Sequence, residues 1–127
     1  GSLSKNVKLI GFQNNPYKYI KVSDLFVLSS LYEGLPNVIL EAITLKKFVI
    51  SSNCPTGPNE ILMKGQFGML FKTQNHIELS KKILEFNNNR NKYNRISEKS
   101  FKSLSRFDYK KNCEKYFNLI LDYLKNE

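Results

Sequence analysis

The chain has 127 residues, 41% hydrophobic and 24% charged, with a net charge of +9. That length suits one domain with a real core and does not comfortably hold two. The composition excludes wholesale disorder, and no stretch is apolar enough for a membrane span or patterned like a secretory leader.

A cytoplasmic setting is therefore expected. The charge is uneven: seven Lys/Arg against four Asp/Glu in residues 1–71 (+3), thirteen against seven in 72–127 (+6). The basic residues alternate with Asn, Glu and Ser along helical segments, which reads first as a solvated face. An anionic membrane surface is the second reading, and no nucleic acid is expected. Cys54 and Cys113 lie far apart without metal-ligand spacing, and a disulfide framework would need more pairs. Free thiols are expected, and no metal site. His76, among polar residues before a helical pattern, reads as a surface residue at a helix start. Gly1-Ser2 reads as a cloning scar. Residues 3–127 then form one domain, a β/α core over 3–71 followed by helices over 72–127.

In chain order, Val7 to Phe12 reads as a short strand ending near Gly11, with a turn at Gln13-Asn14-Asn15-Pro16. Pro16 opens a short helix, Tyr17 to Val22. Leu25 to Leu28 is a continuous apolar run, as in strands buried on both faces of a parallel sheet. Ser29, Ser30 and Gly34-Leu35-Pro36 break it. Pro36 suits a first helical position, and Asn37 to Leu45 continue as helix, with Lys46-Lys47 complementing its dipole. Phe48 to Ser51 is a second buried strand, followed by the turn-rich loop Ser52 to Pro58. Asn59 to Lys64 is a short helix that Gly65 ends, and Gly68 to Phe71 a last strand. Then Ile77, Leu79, Ile83, Leu84 and Phe86 mark an amphipathic helix and Asn87–Asn91 a polar break. Tyr93, Ile96, Phe101 and Leu104 mark a second helix. Asp108 is placed to cap a third, with Tyr109, Cys113, Tyr116, Phe117, Ile120, Leu121 and Leu124 on its apolar side. The alternation predicts an α/β fold: a partial Rossmann-like, doubly wound parallel sheet of about four strands with flanking helices and a helical C-terminal region.

The chemistry concentrates between Asp24 and Ala42. In open α/β sheets, ligands bind beyond the carboxyl ends of the strands. A helix N-terminus there offers free N–H groups and a positive dipole end to phosphate. Glu33 falls in the loop and Glu41 in the second turn of the helix. Carboxylates in such places accept hydrogen bonds from paired hydroxyls, and the amides of Asn37 and Val38 are candidate phosphate donors. The plain alternative makes both glutamates solvated surface residues. A carboxylate pair for glycoside hydrolysis is disfavoured by the strand–loop–helix context.

The stretch Ser29-Ser30-Leu-Tyr-Glu33-Gly34-Leu35-Pro36-Asn37-Val38-Ile-Leu-Glu41-Ala42 closely resembles the donor-binding C-terminal half of family 4 retaining glycosyltransferases with the GT-B fold. Their motif reads Glu-Gly-(Phe/Leu)-Pro, four further residues, then Glu-Ala. The resemblance extends to Val7–Phe12, to Phe48–Leu62 and to Gly65–Leu70; beyond residue 71 it is one of general character.

It implies that Glu33, the candidate catalytic residue, contacts hydroxyls of the donor sugar. Gly34, Leu35, Pro36, Asn37 and Val38 would line sugar and diphosphate, and Glu41 would take the ribose hydroxyls. Gly11, Phe12 and Gln13 would sit near the base. It further implies no cofactor and no bound metal, with a UDP-sugar or another nucleotide sugar as substrate. The acceptor would be a glycan or lipid-linked molecule of bacterial surface-polysaccharide synthesis, at the cytosolic membrane face. The family's basic diphosphate clamp, two strands of this half and the whole acceptor-binding N-terminal half have no counterpart in the 127 residues. As a fragment, the chain is expected to be inactive alone. It should leave a gap or exposed sheet edge, filled by rearrangement, by domain swapping or by a homo-oligomer. A non-catalytic nucleotide- or protein-binding module is the alternative.

Overall fold

The computed structural model describes residues 4–33, 36–106 and 110–126, the side chains of 106, 110–113, 115 and 116 excepted. Its centre is a parallel sheet of three strands in the order β1 (Leu25–Leu28), β2 (Phe48–Ser52) and β3 (Met69–Phe71). Leu25 stands opposite Phe48 in the register, and Ile50 opposite Met69. Parallel strands need crossovers, and helices provide them. α1 (Tyr17–Val22) precedes β1, α2 (Asn37–Thr44) joins β1 to β2, and α3 (Pro58–Ile61) joins β2 to β3. α4 (His76–Asn88), α5 (Arg90–Lys102), a 3₁₀ turn (Ser103–Arg106) and α6 (Lys110–Lys125) follow.

Alternation along the strands divides the core in two. Phe26, Leu28, Val49 and Leu70 face a layer built from α1, α2, α3 and α6, centred on Ile39, Ile43 and Leu62. Leu25, Val27, Phe48, Ile50 and Phe71 face α4 and α5, where Phe48 stacks on Phe86 at 5.5 Å and meets Tyr93 at 4.7 Å. Helices thus cover both faces, and all five β2 residues are buried. Each fully buried large side chain contributes about 1.5–3 kcal/mol through removal from water. The approach of β3 to β2 depends on Gly68, where a Cβ would lie 2.7 Å from the Val49 carbonyl oxygen.

One predicted strand is absent. Val7–Phe12 joins no ladder; its residues are exposed, Phe12 by 91%, and Gly11 breaks the extended backbone at φ 61°. Strand-favouring side chains form a strand only against a partner, and here none is beside them. The sheet therefore has three strands, with β1 at an open edge. Smaller differences have local causes. Pro36 occupies the N-cap of α2 rather than its first turn. Helix α3 ends early because Met63 and Lys64 already turn left-handed ahead of Gly65. The polar Asn run is mostly helical, and α4 breaks from α5 at Asn89 alone. On α4 the predicted apolar face is incomplete: Leu79 and Phe86 pack inward, while Ile77, Ile83 and Leu84 are exposed. The predicted cap at Asp108 lies outside the described residues. His76 is exposed at the start of α4 as expected, behind an Asn75 cap. Cys54 is a buried free thiol.

Candidate functional site at the carboxyl ends of the strands

The loops after β1 and β2 leave the same edge of the sheet, because the strands are parallel. They are tied together by hydroxyls. Ser52 Oγ donates to the Ser30 carbonyl at 2.6 Å, and Thr56 Oγ1 donates to the Glu33 carbonyl at 2.9 Å. Within the first loop, Ser30 Oγ donates to Glu33 Oε1 at 2.6 Å. The Glu33 side chain is thus held at its carboxylate and its backbone by two different loops. It is half-buried, neither a free surface group nor a core one.

Helix α2 starts immediately after that loop. Its first turn holds no acidic residue and no side chain caps it. The Asn37 and Val38 amides lie in the first turn, where N–H groups have no intrahelical acceptor. The partial positive charge at this end is therefore unneutralised by the helix itself. Gly34 and Leu35 lie outside the described residues; Pro36 is buried, and Asn37 and Val38 are half-buried.

Glu41 is one turn further along, roughly 6 Å up the axis from Asn37. Helical side chains lean toward the N-terminus, so its carboxylate inclines toward the open amides. Tyr17 of α1 donates to Glu41 Oε1 over 3.5 Å, a long bond. Burial raises the Glu41 carboxyl above its usual value of 4.5, and the Tyr17 bond offsets part of that. Tyr17 is itself buried against the ring of Tyr123 at 5.4 Å. Glu41 is thus a half-buried carboxyl with one long internal hydrogen bond.

Gln13 is anchored to the same helix, where Tyr19 OH donates to Gln13 Oε1 at 3.1 Å. Gly11 and Phe12 are exposed beside it. The fold thus brings Glu33, Asn37, Val38 and Glu41 to one helix start, while of residues 11–13 only Gln13 is tied to α1. Sequence reasoning passed over Tyr17, Ser30, Ser52 and Thr56. Ser30 and Thr56 were visible as turn formers and as members of the resembling stretches, with no role assigned to their hydroxyls. An apolar cavity of about 250 Å³ opens elsewhere, at the C-terminal end of α2 among Leu45, Phe101, Phe117 and Leu121. It touches neither carboxylate, so the chemistry of the loops defines the site. Among the described residues no three His, Cys, Asp or Glu side chains converge as metal ligands, and no helix is long and apolar enough to cross a membrane.

A family model described as "Glycosyl transferases group 1" matches residues 2–103. The chain is a member of the group 1 glycosyl transferases. Stretches of it are similar to proteins named as glycosyltransferases. It is 56% identical over 61 residues to an uncharacterized glycosyltransferase of Methanocaldococcus jannaschii, covering 48% of this chain and 15% of that protein. It is 34% identical over 74 residues to N-acetylgalactosamine-N,N'-diacetylbacillosaminyl-diphospho-undecaprenol 4-alpha-N-acetylgalactosaminyltransferase of Campylobacter jejuni, covering 58% of this chain and 20% of that protein. The crystal structure of TarM superposes with a TM-score of 0.76 at 26% identity, over 91% of this chain and 24% of TarM. The group 1 chain in hand therefore spans a quarter or less of the length of these relatives.

Proposed function

We propose that this chain carries the donor site of a retaining glycosyltransferase that uses a nucleotide-diphosphate sugar, with UDP-sugars first. The acceptor is a glycan or lipid-linked molecule of polysaccharide biosynthesis, such as capsule or lipopolysaccharide. One observation carries the reading: the uncapped start of α2 lies between a hydroxyl-held Glu33 and a partly buried Glu41. In this reading the diphosphate rests on the Asn37 and Val38 amides beside Pro36, with Gly34 and Leu35 lining the sugar. Charge that grows on the diphosphate as the glycosidic bond breaks meets the helix dipole, already oriented. Glu41 accepts from the ribose hydroxyls. Glu33 accepts from the sugar hydroxyls and so sets the aim of the anomeric carbon. The exposed Phe12 ring offers the base a stacking face, with Gln13 and Gly11 at its margin. No cofactor or metal enters.

The acceptor falls to parts of the protein beyond these residues, in keeping with the small share of its relatives that the chain spans. The name of the Campylobacter jejuni relative specifies a diphospho-undecaprenol acceptor, which supports a lipid-linked acceptor at the cytosolic membrane face. Titration calorimetry of the complete protein with UDP, and separately GDP, tests the donor assignment. Selective UDP binding that weakens about tenfold or more in Glu41→Ala supports it, since hydrogen bonds to a charged group contribute about 1.5–3 kcal/mol. Equal binding of both nucleotides, or an indifferent Glu41→Ala, removes it.

A peripheral membrane position has its own support. Lys92, Arg95, Lys99 and Lys102 are all exposed on α5, and helical spacing gathers them within about 80°. None has an ion pair among the described residues. Each basic residue near an anionic leaflet gains about 1 kcal/mol. Flotation with phosphatidylglycerol vesicles should exceed flotation with phosphatidylcholine; equal flotation removes the idea. Pairing of two copies along the open edge of β1 is the matching oligomer proposal, and a monomer throughout a sedimentation concentration series removes it.

A further inference from the structure

Thr56 adopts a backbone conformation that its side chain disfavours. Its φ is +58°, in the left-handed region, and it is followed by Gly57 at φ +103°. A β-branched residue there is an outlier, since Cβ crowds the following carbonyl, whereas glycine would accept it freely. The side chain is exposed, so burial offsets none of this strain. What the threonine adds is a hydroxyl, and that hydroxyl donates to the Glu33 carbonyl oxygen at 2.9 Å, across 23 residues of chain.

The bond completes a set. Ser30 Oγ holds the Glu33 carboxylate at 2.6 Å, and Ser52 Oγ holds the Ser30 carbonyl at 2.6 Å. Ser52 is fully buried at the end of β2. The loop after β1 is thereby tied at Ser30 to the buried end of β2 through Ser52, and at Glu33 to the loop that follows β2 through Thr56. Strain kept at a position where glycine itself would relieve it is a pointer to function.

We propose that Thr56 is a positioning residue: its hydroxyl fixes the Glu33 backbone, and so the aim of the Glu33 carboxylate at the donor sugar. The proposal rests on the donor assignment above. It differs from a purely structural role in one respect: relieving the strain should leave stability intact and still damage function.

The test compares Thr56→Ser, Thr56→Ala and Thr56→Gly in the complete protein. Four readouts serve: amide hydrogen exchange over residues 30–36, the melting temperature, UDP affinity, and turnover on UDP-N-acetylglucosamine and its galacto epimer. Thr56→Gly should melt at or above wild type while exchange in the loop speeds up. Thr56→Ala and Thr56→Gly should lose about tenfold or more in kcat, as small misplacements at a reacting centre do, with narrowed discrimination between the epimers. UDP affinity should stay within about twofold of wild type, because the ribose and phosphate contacts lie on α2. Thr56→Ser should retain wild-type behaviour. Unchanged loop exchange and kcat in Thr56→Gly would overturn the positioning role while leaving the donor assignment standing. A Thr56→Ser variant as impaired as Thr56→Ala would overturn it as well. Wild-type protein that fails to bind UDP would instead overturn the donor assignment, and the role of Thr56 with it.

Discussion

Glu33 and Glu41 flank the same helix start, yet the protein supports them in opposite ways. Glu33 is held by what touches it: a serine on its carboxylate and a threonine on its backbone. Glu41 is held by where it is, on a rigid helical turn, half-withdrawn from water, with one long bond from Tyr17. A loop residue needs ties to have a fixed direction, while a helical residue inherits one from its backbone. The difference suits the two tasks proposed for them above, aiming at a reacting sugar and gripping a diol that does not react.

The sharpest way to separate them is Glu33→Gln in the complete protein. Turnover should fall by about a hundredfold or more, as loss of a positioned polar group at a reacting centre does, with UDP affinity nearly unchanged. A parallel loss of both would merge the two roles. The next effect is on stability. Burial raises the folded-state Glu41 value above 4.5, so the group favours folding below its unfolded value and loses that contribution as pH rises through the folded one. Above that range the half-buried carboxylate carries a desolvation cost, so Glu41→Gln should melt higher than wild type at neutral pH. The advantage should vanish near pH 4; an equal gain at both pH values would rule out ionisation as its cause. UDP affinity should weaken as pH falls through the same range, since only the ionised form accepts from both ribose hydroxyls. Smallest is Tyr17→Phe. The bond is long and should contribute less than about 0.5 kcal/mol, while its loss should move the Glu41 titration further up. A downward shift, followed by NMR of the Glu41 side chain, would reverse the assigned sign.

Much of this was readable from residue order. The apolar runs at Leu25 and Phe48 became strands because a strand buried on both faces leaves an unbroken hydrophobic signal. Pro16 and Pro36 marked α1 and α2 to within a residue, and the loop-then-helix placement of Glu33 and Glu41 followed. Val7–Phe12 failed for a reason no single segment carries: strand formation is a property of a pair. The hydroxyl ties failed in the same way. Ser30 and Ser52 are 22 residues apart, and only the parallel register of β1 with β2 brings their loops together. Ile77 and Leu84 share a side of α4, but at 100° per residue it lies about 140–180° from Leu79 and Phe86, which face the sheet, so both are left in solvent.

The strand order has a consequence for synthesis. Each strand pairs with the one translated next, β1 with β2 and β2 with β3, and α2 and α3 close over the sheet between them. No strand in this sheet waits for a later partner to be inserted between its neighbours. The growing chain can consolidate the Glu33 loop once β2 and Thr56 have cleared the ribosome, before α4 and α5 exist to cover the opposite face. Until then Phe48 and Ile50 present bare apolar surface, and this half-covered sheet is the stage at which a chaperone would find the most to hold.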